Sequence, residues 1–421
     1  MSVPKPDPEA HIDTALKLTA NIDGISASVP LIPISKVGVI GAGTMGGGIA
    51  MNFLSAGIPV TIVEQDQRAL DLGLGVISKN YETSVKRGRL SSIEVEAAMG
   101  RLIPSCSFDD LADCDLVIEA VYESMEVKKH VFNRLDKIVQ KGAILASNTS
   151  YLSIDEIATA TQRPEAVVGM HFFSPANIMK LLEVVRGAKT GHSQLVTVIH
   201  LAEKIGKVPV VSGVCHGFIG NRILLKRQEQ ANNLLIEGAR YYDIDQVLLD
   251  FGFPMGPFQM GDLAGLDIGW HRDPSKVTSI REALCAVGRW GQKTGAGFYD
   301  YNENRQRTPS PKVQGIIADF ASRSGVNQRE IPRQEIFERL LYPMVSEGAQ
   351  ILCERIAQRS SDIDLVLLYG YGWPARTGGV MFWADNNEGL TKIVDGLKRH
   401  NMPVAPLLEK LAAEGGRFNQ G

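Results

Sequence analysis

The chain has 421 residues, 44 Lys plus Arg against 47 Asp plus Glu, a formal net charge of −3 and 44% hydrophobic residues. That length holds about two to four domains and excludes a small single module. The balanced charge, without a polybasic stripe or acidic tail, argues against nucleic acid as a partner.

No apolar run approaches the ~18 residues of a membrane span, and MSVPKPDPEAHID lacks the basic-then-apolar layout of a signal peptide. No membrane association and a cytoplasmic location are therefore expected. The terminal FNQG carries no peroxisomal or prenylation signal. The cysteines Cys106, Cys114, Cys215, Cys285 and Cys353 form no C-x-x-C pair, and no His cluster has ligand spacing. They are expected as reduced thiols, with no structural metal.

Residues 1–35 read as an extension and linker, with one amphipathic stretch from His11 to Leu18 followed by Pro30 and Pro33. From Lys36 short apolar runs alternate with helical patterns: KVGVI and a helix from Thr44, VTIV and a helix from Gln67, DLVIEA and a helix from Met125, AILAS and a helix from Ile154. This alternation predicts an α/β Rossmann-type domain over 36–215, a parallel sheet covered on both faces. Ser91 with Glu94, and Ser153 with Glu156, have capping-box spacing. Further extended runs follow at VVGMHFF, LLEVV and VPVVSG.

After Gly217 the pattern turns helical and contains two copies of one design. Asp243-Ile244-Asp245 matches Asp362-Ile363-Asp364, and Gly252-Phe253-Pro254 matches Gly372-Trp373-Pro374. Two tandem all-helical domains are predicted, 216–301 and 331–421, joined by a polar linker at 302–330.

GAGTMG directly follows the run Val37–Ile40 and opens a helix of small residues. In that context Gly41 permits the tight turn, Gly43 lets a pyrophosphate approach the backbone, and Gly46 lets helix and strand pack closely. Thr44 and Met45 lie at the helix N-terminus, whose free N–H groups suit a diphosphate. VTIV then ends at Glu64, 18 residues past Gly46, where an acid binds a ribose hydroxyl. Repulsion of a 2′-phosphate by Glu64, roughly 4 kcal/mol at about 4 Å and an effective dielectric near 20, predicts NAD over NADP. Arg68 complicates this if it turns toward the ribose.

Two further strand ends carry chemistry: Ser147-Asn148-Thr149-Ser150, and Gly169 to Pro175 containing His171, with Glu183 in the run after it. Strand C-termini line the ligand crevice of a parallel sheet, which would bring Ser150 and His171 beside the nicotinamide. A histidine exchanges a proton near neutral pH, and a carboxylate can fix its tautomer. Taken singly, each has a plainer role: His171 as a satisfied strand-end histidine, Ser150 as a turn residue, Asn221 as a helix cap.

The segments GAGTMGGGIA, SNTS, GMHFFSPANIMKLLEVV, GFIGNR, GFPMGPFQMGDLAGLD, GQKTGAGFY and GYGWP resemble the 3-hydroxyacyl-CoA dehydrogenase family. The resemblance runs from Lys36 to about Asn386 and is nearest to the dehydrogenase part of multifunctional β-oxidation enzymes, without their hydratase domain. It implies NAD-dependent, reversible oxidation of an L-3-hydroxyacyl-CoA, with His171 as base, Glu183 as its partner carboxylate, and Ser150 and Asn221 on the substrate. It further implies cofactor contacts at Glu123, Lys128, Ser150, Ser174 and Lys293. Coenzyme A contacts match poorly, with Lys79, Lys86 and Arg87 on one plausible helix. Residues His271 to Ser279 depart from the family pattern. A dehydrogenase of a free hydroxy or sugar acid, and a non-catalytic relative, are the alternatives.

The second copy has no Rossmann domain before it, so its expected job is to cover the first in cis. Phe337, Leu340, Leu341, Met344, Val345 and Leu352 match the stripe Ile223, Leu224, Ala231, Leu234 and Leu235 at helical spacing. A monomer follows as the expectation.

Overall fold

Short runs of β-branched residues alternate with helix-forming segments through the first half of the chain, and a computed structural model shows what they build. It describes residues 6–270, 272–273 and 276–419. Of the segment that departs from the family, His271, Pro274 and Ser275 lie outside the described residues.

In chain order the elements are α1 (Pro8–Leu18), β1 (Val37–Ile40), α2 (Thr44–Ser55), β2 (Val60–Val63), α3 (Gln67–Lys86), α4 (Ser92–Met99), β3 (Leu102–Ser105), β4 (Leu116–Glu119) and α5 (Met125–Ile138). Then come β5 (Ile144–Ser147), α6 (Ile154–Ala158), β6 (Val167–Phe172), β7 (Leu181–Arg186), α7 (His192–Lys204) and β8 (Val208–Gly213). The rest is α8 (Gly220–Glu237), α9 (Tyr241–Phe251), α10 (Pro257–Ala264), α11 (Ile280–Ala286), the hairpin β9 (Tyr299–Tyr301) and β10 (Arg307–Pro309), α12 (Pro311–Arg323), α13 (Arg333–Cys353), α14 (Ser360–Tyr371), α15 (Val380–Trp383), α16 (Leu390–Arg399) and α17 (Pro406–Glu414). No described helix is long and apolar enough to cross a membrane. By internal packing the described residues divide into two units, 6–222 with 350–371, and 223–349 with 372–419.

The first unit is built on an eight-stranded sheet of order β3-β2-β1-β4-β5-β6-β7-β8. β1, β2, β4 and β5 are buried throughout because helices cover both faces. Val37, Val39 and Ile62 join one core with residues of α2, α3 and α7, while Ile40, Val63 and Val117 join the other with residues of α5 and α6. After β3 the chain returns to lay β4 on the far side of β1, which opens a crevice between their C-terminal ends.

Three features differ from the sequence reading. β3 was not anticipated, because LIPS carries a proline and its burial is only partial. β7 runs antiparallel to β6, so the sheet is mixed rather than parallel. Only Ser91 forms the full capping box; Glu156 turns its carboxylate to Lys129 instead, 2.7 Å away.

The extension is ordered over its described residues: α1 packs on α14, and Ile32 N–H donates to Thr197 Oγ1 at 2.8 Å. α14 packs in turn on β7 and β8. The predicted second helical domain therefore does not stay whole, since its α14 lies in the first unit.

In the second unit two buried carboxylates organise the fold. Asp245 accepts N–H bonds from Phe258 and Gln259 at the start of α10, and the Tyr299 hydroxyl at 2.7 Å. Asp262 accepts those of Phe298 and Tyr299. Burial pushes Asp245 up to about 6. The segment read as a polar linker carries β10 and α12, because Val313, Ile317 and Ala321 recur four apart and bury one face. Arg339 of α13 forks onto Glu237 of α8 at 2.7 Å for both contacts. Phe251, Phe337, Trp373 and Trp383 form an aromatic cluster with Phe251 5.4 Å from Trp373 and 5.7 Å from Phe337.

Candidate active site

The antiparallel pairing of β6 with β7 sets His171 directly opposite Glu183. Their side chains meet at 2.8 Å, Nδ1 to Oε2, with the histidine side chain 5% exposed and the carboxylate fully buried. A carboxylate only accepts here, so Nδ1 carries the proton and Nε2 is the nitrogen able to take one. Glu183 Oε1 accepts the N–H groups of Ile219 (3.1 Å) and Gly220 (2.9 Å) where α8 begins. Those bonds meet the cost of burying the charge and lock the carboxylate in place. Phe173 and Phe218 flank the imidazole, with ring centroids at 4.4 and 5.7 Å.

Asn221 lies in the first turn of α8. Its Nδ2 donates to the Ser150 carbonyl at 3.4 Å, while its Oδ1 accepts the Tyr371 hydroxyl at 2.8 Å. Tyr371 also meets Phe173 edge-on, centroids 5.4 Å apart. His171, Phe173, Tyr371, Asn221 and Ser150 thus form one continuous chain of contacts within the first unit.

The turn bearing Ser150 is held from below. Glu123 accepts Thr149 Oγ1 at 2.5 Å and Ser150 N–H at 2.9 Å. Lys128 is fully buried, donates to Glu119 at 2.7 Å and pairs with Glu123 at 3.3 Å, while Ser147 donates to the second oxygen of Glu119. Asn148 Oδ1 accepts Phe172 N–H at 2.9 Å, tying β5 to β6 beside His171. On the other side Ser174, exposed, precedes the loop whose Ala176 and Met179 carbonyls accept from Lys207. Burial pushes Lys207 down to about 8.

At the crevice between β1 and β4, Gly41 has φ +96°, and a Cβ there would lie 2.8 Å from the Ala120 carbonyl oxygen. Gly43 heads α2 with no side-chain cap and with open space where a Cβ would be. Thr44, Met45 and Gly46 form the first turn of that helix. Glu64 Oε2 accepts Ala42 N–H at 2.8 Å, and Oε1 accepts that of Gln65. The acid is thus fastened to the glycine turn, with lone pairs left for further donors. Lys293 lies in the second unit, paired with Asp267.

Residues 36–215 match the 3-hydroxyacyl-CoA dehydrogenase NAD binding domain, and 217–301 match the C-terminal domain of the same family. (S)-3-hydroxybutyryl-CoA dehydrogenase from Ralstonia eutropha is 33% identical, with a TM-score of 0.58, over 64% of this chain and 100% of its own. The chain belongs to the 3-hydroxyacyl-CoA dehydrogenase family. The dehydrogenase part of multifunctional enzyme 1 from C. elegans is similar over 96% of this chain and 97% of its own, at 29% identity and a TM-score of 0.67. The peroxisomal bifunctional enzyme of Cavia porcellus is 41% identical over 413 residues, which span 91% of this chain and 57% of that relative.

NAD is the cofactor of that domain, and the residues fit it. The uncapped α2 N-terminus at Gly43 suits a diphosphate, and Glu64 suits a ribose diol. Sequence reasoning missed Glu119, Asn148 and Tyr371 as individual residues. All three lie in motifs already quoted, the first two at strand ends and Tyr371 in GYGWP. No sequence signal links Tyr371 to Asn221, 150 positions away.

A cavity of about 390 Å³ opens elsewhere in the first unit, lined by Asn80, Ser84, Arg87, Arg89 and Lys204 among others. Lys79 and Lys86 are not among its lining residues.

Proposed function

We propose that this chain oxidises L-3-hydroxyacyl-CoA thioesters to 3-ketoacyl-CoA with NAD, reversibly, in β-oxidation-type metabolism. The observation that carries this reading is the buried His171–Glu183 pair, braced by the α8 N-terminus and set beside Asn221 and Ser150. Bound NAD supplies the acceptor for the hydride that leaves the carbinol carbon. His171 Nε2 takes the hydroxyl proton, and Glu183 stabilises the resulting imidazolium through Nδ1–H. Ser150 and the Asn221 amide donate to the substrate oxygen as it becomes a carbonyl. Glu123 and Lys128 act from behind, by fixing the turn that carries Ser150. Ser174 flanks the histidine on the exposed side.

The cavity with Arg87, Arg89 and Lys204 supports a CoA ester over a free acid, because three cations suit phosphates. The test is a panel of 3-hydroxyacyl-CoA thioesters and matched free acids with NAD, followed by NADH absorbance. Turnover of free acids alone would reject the reading. Glu64→Ala should narrow the preference for NAD over NADP, and an unchanged ratio would move discrimination elsewhere.

We also infer a monomeric chain with two C-terminal-type helical segments in tandem, the second of which gives its α14 to the first unit. The Arg339–Glu237 fork and the aromatic cluster, each joining residues of both copies, support pairing in cis. Light scattering on a gel-filtered sample tests this, since a stable mass of two chains would overturn it.

A further inference from the structure

Residues 350–371 belong by packing to the unit that contains His171, although they follow it by some 180 positions. They reach the first turn of α8 at two adjacent residues. Glu354 accepts the Arg222 guanidinium, with Nη2 to Oε1 at 3.0 Å, and Tyr371 donates to Asn221. The helix that carries Tyr371 is seated closely. A Cβ on Gly370 would lie 2.6 Å from Leu181 Cδ2, at the start of the strand bearing Glu183. A Cβ on Gly220 would lie 2.4 Å from the Tyr371 ring, so only glycine at that position admits the ring.

The Asn221 amide has two ends, and each has its own protein partner. The Ser150 carbonyl can only accept, so it faces Nδ2, and Oδ1 faces Tyr371. At 3.4 Å the tie to Ser150 is long, whereas the Tyr371 bond at 2.8 Å is of ordinary strength. Without the phenol, little holds the amide against rotation that would point Oδ1 at an oxygen developing negative charge.

We infer that Tyr371 is a positioning residue for the dehydrogenase reaction, its hydroxyl holding the Asn221 amide so that Nδ2 donates to the substrate oxygen. This rests on the function proposed above. A segment far along the chain thereby completes the site: Phe173, packed between Tyr371 and His171, ties the same phenol to the base.

The test is a double-mutant cycle with Tyr371→Phe and Asn221→Ala, assayed with 3-hydroxybutyryl-CoA and NAD well below the melting temperatures of all variants. Tyr371→Phe should lower kcat about tenfold, the size of one hydrogen bond, with the NAD dissociation constant unchanged. In the Asn221→Ala background the same change should cost less than about twofold. An equal loss in both backgrounds, or an unchanged kcat, overturns the inference. A cycle with Tyr371→Leu gives the same readout if the phenylalanine variant does not fold. Absence of NADH formation by the wild-type chain would instead reject the proposed function.

Discussion

Counted back from Gly252 and Gly372, Phe251 and Tyr371 hold the same place in two segments of similar sequence. Both helices end at a left-handed glycine, with φ 115° and 68°, and both contain an enclosed aspartate, Asp245 and Asp364, seven and eight residues before that glycine. Their surroundings diverge. Phe251 packs in the second unit among Phe253, Phe337, Trp373 and Trp383. Tyr371 lies in the first unit and gives its hydroxyl to Asn221. One oxygen atom separates a packing residue from one that orients an amide at the site. A local pattern therefore specifies how the helix ends, while the environment of the ring specifies what the ring does.

That contrast is tested first at the chemistry itself. His171→Ala should lower turnover by about 10²- to 10⁴-fold with the NAD dissociation constant nearly unchanged, as measured by steady-state kinetics and fluorescence titration. Surviving turnover would remove His171 as the base. The aromatic cluster should respond in stability instead. Trp373→Ala should cost about 3–5 kcal/mol in denaturant unfolding, while kcat per folded molecule changes little. A loss of turnover without loss of stability would break the division between packing and positioning.

The smallest effect sharpens the comparison through pH. Burial raises Asp245 from 3.8 to about 6, with the hydrogen bonds from Tyr299, Phe258 and Gln259 pulling the other way. An acid whose pKa rises on folding stabilises the fold while protonated. Its contribution is complete below pH 3.8 and is lost as pH rises through about 6. Asp245→Asn cannot ionise, so its melting temperature relative to wild type should climb across that window. A constant difference would show that Asp245 does not titrate there.

Much of the first unit was legible because its signals are local. The glycines at 41, 43 and 46, the strand ending at Glu64, and the helix starts at Thr44, Gln67, Met125 and Ile154 depend on a turn, a cap or a short periodicity. His171 was readable at a strand end and Glu183 within the next apolar run, and the family resemblance pairs them; the residue pattern by itself does not. The geometry of their contact was not legible, because it depends on β7 turning antiparallel to β6, and both strands are apolar runs of the same kind. Lys128 shows the same limit: a lysine in a charged helix reads as exposed, yet it is enclosed because Glu119 and Glu123 meet it from a strand end and a loop.

The sequence by itself determined the α/β domain, its dinucleotide turn and a repeated helical design, since each is written in neighbours a few residues apart. The tertiary structure alone decided the direction of β7, the burial of Lys128, the helix inside the expected linker, and the place of α14 in the first unit. Each of these is a choice among partners that are distant in the chain, and burial and hydrogen-bond satisfaction in the folded state select the partner, with no local pattern to record it.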